Sequence, residues 1–238
     1  MTGVQTCALP IFFSCRLGDD AAGQAISSEF DIWKIEHRKQ FLKNEKTGVV
    51  VVLVDGKGDR TMFPDSGANS GLSEKDLPSL LGFDAAYLSG YSLFNPLSTQ
   101  GVMRIISEIK KVGIPLIFDP ASVGTMMAFG REQVINTLAH MNIAIMNEDE
   151  ARYISNCHSL DEALAFLTSI ISTVVIKTGS SGAIAQIHGG SSVTANTDAI
   201  AAIDTTGAGD AFAAGFIPNW LTTKDLFAAM NAGNEIAR

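Results

Sequence analysis

The run Asp204-Thr205-Thr206-Gly207-Ala208-Gly209-Asp210, followed by a small apolar stretch at 211–217, gathers residue types that can do chemistry. Gly207, Ala208 and Gly209 set three successive backbone N–H groups, nearly free of side-chain bulk, at the start of a predicted helix that Pro218 ends. The first N–H groups of a helix lack intrahelical acceptors and the helix dipole favours negative charge there, so this turn is a candidate anion site. Asp210 falls in the first helical turn. One reading makes it a partner of the dipole, as acidic residues at helix starts are. That reading leaves the Gly-Ala-Gly turn unexplained, since its backbone entropy is costly to fix. The other reading makes Asp210 a general base beside a transferring phosphoryl group.

Two other clusters could serve such a site. Asn147 and Glu150, in Asn147-Glu148-Asp149-Glu150, share a helix face and offer hard oxygen atoms suited to Mg²⁺. The same spacing is also that of a helix capping box. Lys177-Thr178-Gly179-Ser180-Ser181-Gly182 follows an apolar run at 174–176. Alone it is an ordinary glycine-rich turn, with Lys177 equally readable as a solvated strand end. His37, His140, His158 and His188 show no i, i+4 pairing and read as surface or capping residues. The glycine fingerprints of dinucleotide-binding enzymes and Walker-type NTPases are missing, as is the G-x-S-x-G of serine hydrolases.

These groups need a scaffold. Short apolar runs at 85–88, 114–118, 143–146 and 174–177 alternate with amphipathic stretches at 97–111, 131–140, 148–154 and 160–171. In the last of these the apolar residues keep the helical period. Such alternation predicts an α/β fold, a mostly parallel sheet with helices on both faces, with ligands outside the carboxyl ends of the strands. A valine-rich run at 49–54, the turn Asp55-Gly56-Lys57-Gly58 and a second run at 60–63 predict a β-hairpin. After Pro64, the small and polar residues 65–73 predict a loop or hinge.

Composition is consistent with this. The chain has 238 residues, 46% hydrophobic and 18% charged, with a formal net charge of −8, which excludes a disordered chain. The acidic balance, with no basic run longer than Lys110-Lys111, argues against nucleic acid or an anionic membrane as partner. Cys7, Cys15 and Cys157 are too scattered for a disulfide framework, so a reducing cytoplasm is expected. No apolar run approaches the ~18 residues of a membrane span.

The 204–210 run, continued by Ala211-Phe212, resembles the signature of the ribokinase-like (phosphofructokinase-B type) carbohydrate kinases. The resemblance implies an ATP-dependent phosphotransferase acting on an alcohol group of a sugar or sugar-like acceptor. In it Asp210 takes the hydroxyl proton, and Gly207, Ala208 and Gly209 form the anion hole. It further implies Mg²⁺ near Asn147 and Glu150, and a monovalent cation such as K⁺ near Asp204 and Thr206. Nucleotide contacts are implied at Asn147, Lys177, Gly179, Gly182 and, more loosely, Asn231. The hairpin, within about 30–66, resembles the family's lid, which in many members also pairs two subunits. Gly18-Asp19-Asp20-Ala21-Ala22-Gly23 resembles the family's G-x-D-x-x-G piece.

On this reading residues 13–238 form an incomplete kinase domain. Residues 1–12 stand outside it, the expected acceptor-binding opening strand is missing, and adenine-contacting segments lie beyond Arg238. The alternative is a remnant that binds nucleotide but cannot phosphorylate, for want of a complete acceptor site.

Overall fold

A computed structural model describes residues 10–56, 60–198 and 207–238. The chain opens with short strands and one helix: β1 (Phe12–Phe13), β2 (Leu17–Gly18), α1 (Ala21–Ile32), β3 (Glu36–His37) and β4 (Phe41–Leu42). β1 pairs in parallel with β3, and β2 with β4. Asp20 caps α1. Its Oδ1 accepts from the Gly23 N–H at 2.8 Å and the Thr47 hydroxyl at 2.7 Å, and its Oδ2 accepts from the Thr47 N–H at 2.8 Å. One carboxylate thus ties the start of α1 to the next strand. His37, expected at the surface, is buried, its ring bonded to Ser27 Oγ at 2.8 Å and packed on Phe30. A hydroxyl partner ten residues away is what makes a buried imidazole tolerable, and periodicity gave no sign of it.

β5 (Thr47–Val54) and β6 (Arg60–Gly67) form the hairpin, in antiparallel register with Val50 opposite Pro64. β6 therefore continues through Pro64 to Gly67, where the sequence pointed to a loop. In a two-stranded ribbon both strands are edges, so the missing proline N–H can face outward without breaking the ladder. Val49 to Val54, Met62 and Phe63 are all exposed, on both faces of the ribbon. Asn95 Nδ2 donates to Ser66 Oγ at 2.7 Å, joining the base of the hairpin to the body.

The body is a six-stranded sheet with β7 (Ala86–Ser89), β8 (Leu116–Asp119), β9 (Ile143–Asn147) and β10 (Thr173–Lys177) parallel in that spatial order. β11 (Ala183–Ile187) and β12 (Val193–Ala195) continue it antiparallel. Their Ala- and Gln-containing stretches lack the β-branched run that announces a strand. Between β7 and β10 lie α2 (Gly90–Leu93), α3 (Thr99–Val112), α4 (Val123–Phe129), α5 (Arg131–Leu138), α6 (Glu148–Ser155) and α7 (Leu160–Thr168). α8 (Ala208–Thr223) and α9 (Leu226–Ala237) follow β12.

Strand alternation divides the core in two. Phe118, Ala144, Met146, Val174 and Ile176 face the helices of the α3–α7 group, where α3 lays down Val102, Ile105, Ile106 and Ile109 at helical spacing. Ile117, Ile143, Ile145 and Val175 face Phe212, Phe216 and Trp220 of α8 and Leu226, Ala229 and Met230 of α9.

α8 passes through Pro218 instead of ending there. Proline inside a helix costs about 3 kcal/mol. Here the continuation keeps Phe212, Phe216 and Trp220 stacked along one buried stripe, with ring centroids 6.0 and 6.3 Å apart. Gly215 lies so near the Ala232 carbonyl of α9 that a Cβ would collide with it. Among the described residues no helix is long and apolar enough to cross a membrane.

Candidate active site

The register of the parallel strands aligns their last residues along one edge. Ser89 pairs with Asp119, and Asn147 with Lys177. A polar residue thus closes each apolar strand, at the end where α/β sheets take ligands.

The start of α8 meets this edge. Gly207 holds φ +80°, a left-handed backbone suited to glycine, and delivers the chain into the helix with no side-chain cap, leaving the first amides free of one. Lys177, at the end of β10, reaches back to Asp119, its Nζ 3.0 Å from Asp119 Oδ2. The same ammonium lies against Gly209, where a Cβ would stand 3.0 Å from Nζ. Lys177 is therefore held against Asp119 and the start of α8 and is not a solvated strand end. Partial desolvation, then the like charge of Asp119, raises the Asp210 carboxyl above the usual carboxylate range, while Lys177 opposes the rise.

Asn147 and Glu150 form the capping box of α6. The Asn147 N–H donates to Glu150 Oε2 at 2.8 Å, and the Glu150 N–H donates to Asn147 Oδ1 at 2.9 Å. This does not exhaust them, because Glu150 keeps Oε1 and Asn147 keeps a second lone pair on Oδ1, while its Nδ2 can only donate. Glu150 is buried, and desolvation first, then Asp119, push its carboxyl upward against the pull of Lys177 and the Asn147 N–H. Among the described residues no three His, Cys, Asp or Glu side chains stand close enough together to hold a metal ion. Glu150 Oε1 and Asn147 Oδ1 are hard oxygen atoms of the kind Mg²⁺ takes.

The turn after β10 is closed by the Thr178 N–H donating to the Gly182 carbonyl at 2.8 Å. Gly179 (φ +60°) faces open space, while a Cβ on Gly182 (φ +104°) would collide with the Ala195 carbonyl. Packing against β12 thus accounts for glycine at 182. Asn231 lies half-buried in α9, and no hydrogen bond or ion pair among the described residues joins it to the Asp119–Lys177 group. Asp204 and Thr206 lie outside the described residues.

Three further side chains stand beside these candidates, of which Asp119 and Tyr91 belong to turns, 89–91 and 119–122, that resemble family segments but were assigned no role from sequence. Asp119 is buried (6% exposed), with Oδ1 fixed by the Ala121 N–H at 2.8 Å. Tyr87 and Tyr91 flank it, and desolvation, with the charges of Asp119, Asp210 and Glu150, pushes both hydroxyls above the ordinary phenol range. An acidic residue closing the apolar run at 114–118 was the available sign for Asp119.

The fold is ribokinase-like. It matches an adenosine kinase from Sinorhizobium meliloti with a TM-score of 0.89 at 20% identity, over 99% of this chain and 73% of that one. It matches a putative ribokinase II from E. coli, solved with ATP and Mg²⁺, with a TM-score of 0.86 at 22% identity, over 99% of this chain and 79% of that one. The chain belongs to the pfkB family of carbohydrate kinases, whose model matches residues 2–238. That span takes in residues 2–12, which the sequence reading set apart. A protein of Archaeoglobus fulgidus described as an uncharacterized sugar kinase is 26% identical over 238 residues, 99% of this chain and 92% of that relative.

Proposed function

We propose that this carbohydrate kinase transfers the γ-phosphoryl group of ATP to an alcohol of a sugar-like acceptor, with Asp210 as general base. The observation that carries the proposal is the meeting of Asp210, the 207–209 turn and the Lys177 ammonium at one helix start, where Lys177 lies against Gly209. Lys177, although paired with Asp119, brings its cation to the positive start of a helix, and together they suit a phosphate oxygen.

The amides of Gly207, Ala208 and Gly209 stabilise charge on the transferring group, each well-aimed donor contributing roughly 3 kcal/mol. Even raised, the Asp210 carboxyl is a far weaker base than an alkoxide, so it accepts the hydroxyl proton late, as the oxygen bonds to phosphorus in a loose, in-line transition state. Asn147 and Glu150 would hold Mg²⁺ through water, and the ion would supply neutralisation of phosphate charge. Asp204 and Thr206 would hold a monovalent cation. Gly179, Gly182 and Asn231, with Asn147 and Lys177, would line the nucleotide site. The 47–67 hairpin closes over the acceptor and excludes water. The apolar faces it exposes suit pairing with a second copy of the chain, and the enzyme works in the cytoplasm.

Asp210→Asn tests the base. Turnover on the best of a panel of sugars and nucleosides should fall at least about 100-fold, with binding of an ATP analogue within about twofold of the unaltered protein. A variant that keeps a tenth of the turnover refutes the assignment. An unaltered protein that binds nucleotide and phosphorylates no acceptor overturns the kinase reading for this chain.

A further inference from the structure

β8 and β10 are separated by β9, so their ends stand roughly 10 Å apart. Lys177 nevertheless crosses the end of β9 to meet Asp119 at 3.0 Å. A lysine has four rotatable bonds and no preferred path across a sheet edge, and its ordering loses about 2 kcal/mol of rotamer freedom. Something must choose that direction. Asp119 is built to do so. Its Oδ1 is tied to the Ala121 N–H, in a turn that Ala121 makes at φ +66°, and this leaves Oδ2 aimed along the edge. The pair is well sequestered, with 17% of the lysine side chain and 9% of the aspartate exposed. Its cation ends against the first turn of α8.

The arrangement has a disadvantage that makes it informative. Asp119 adds a negative charge beside the place where phosphate oxygens would sit, in a region that already holds Asp210 and Glu150. A like charge next to an anion site is unfavourable unless it does something else. We propose that Asp119 is a positioning residue, which holds the Lys177 ammonium beside Gly209 at the start of α8, so that lysine and helix amides meet the same phosphoryl oxygens. This rests on the phosphoryl-transfer reading above and adds to it the group that aims the lysine.

The test compares the full-length chain with Asp119→Asn, Lys177→Gln and the double variant. It measures kcat together with the Kd of the ATP analogue AMP-PNP in the presence of Mg²⁺. Asp119→Asn should lower kcat at least about tenfold and bind AMP-PNP no more tightly than the parent. Lys177→Gln should weaken AMP-PNP binding about tenfold in the parent. In the Asp119→Asn background it should change kcat and Kd by less than about twofold, because an unaimed lysine contributes little.

Lys177→Gln alone leaves a buried carboxylate without its counter-charge and can fail to fold. The double variant is neutral at both positions, so its comparison with Asp119→Asn still decides the question. A further tenfold loss of kcat when Lys177→Gln is added to Asp119→Asn would overturn the proposal. So would AMP-PNP binding more than threefold tighter in Asp119→Asn, which would make Asp119 merely a repulsive neighbour. Should the parent bind AMP-PNP and phosphorylate nothing, the kinase reading fails, and the Kd comparisons still judge the positioning role.

Discussion

Replacing Gly209 by alanine should move stability and activity in opposite directions. Gly209 is the second residue of α8 and has no need of a left-handed backbone. Alanine is better than glycine by about 1 kcal/mol in a helix interior and by less near an end, so a gain of about 0.5 kcal/mol is expected. For a chain of this size that raises Tm by about 1–2 °C. The added methyl would stand 3.0 Å from Lys177 Nζ, and the flexible end of that side chain can give the few tenths of an ångström required. A hydrogen-bonded oxygen sits about 2.9 Å from its donor nitrogen. On the proposed anion site the methyl would compete with a phosphate oxygen for the space beside the ammonium. Displacements of this order cost up to about 100-fold in rate, so kcat/KM for ATP should fall at least tenfold. Thermal melting beside steady-state kinetics reads both effects. Unchanged kcat/KM would show that the space between Lys177 and α8 is not where phosphate sits, and destabilisation by more than about 1 kcal/mol would show that the Lys177 side chain does not give way to the methyl.

Phe216→Ala removes a fully buried ring between Phe212 and Trp220, and should cost about 3–5 kcal/mol, seen as a Tm lower by roughly 10 °C. A loss under 1 kcal/mol in chemical denaturation would mean that the α8 stripe is not packed as described. The Asp20 carboxyl is held down to about 2 by the N–H groups of Gly23 and Thr47 and by the Thr47 hydroxyl. Its folded pKa lies below its unfolded one, so its stabilisation is complete above about pH 4 and is lost as pH falls through about 2. The stability difference between the parent and Asp20→Asn should therefore shrink steadily from pH 5 to pH 2, and a difference that stays constant over that range contradicts the bonding pattern.

The sequence made the central sheet readable because buried parallel strands are continuous apolar runs, and 85–88, 114–118, 143–146 and 174–177 each lie within two residues of an observed strand. It hid α1, whose residues Ala21 to Ile32 are mostly small or polar and carry no strong apolar stripe. It misplaced the ends of two elements at prolines. Pro64 and Pro218 both read as stops, yet an open ribbon and a well-packed helix each absorb a missing N–H. The helix start at 207–208, with Asp210 in its first turn, was legible from local composition. The Asp119–Lys177 pair was not, because it joins residues 58 positions apart through strand order.

Ser89, Asn147 and Lys177 end their strands just past the last apolar residue, and none belongs to either half of the core. Substitution at these three positions removes no core contact, whereas one residue earlier in each strand lies Leu88, Met146 or Ile176, all buried. The edge therefore carries polar groups that the packing of the sheet does not call for. A change at Lys177 or Asn147 leaves both halves of the core as they are and is felt instead through the Asp119–Lys177 pair or the start of α6.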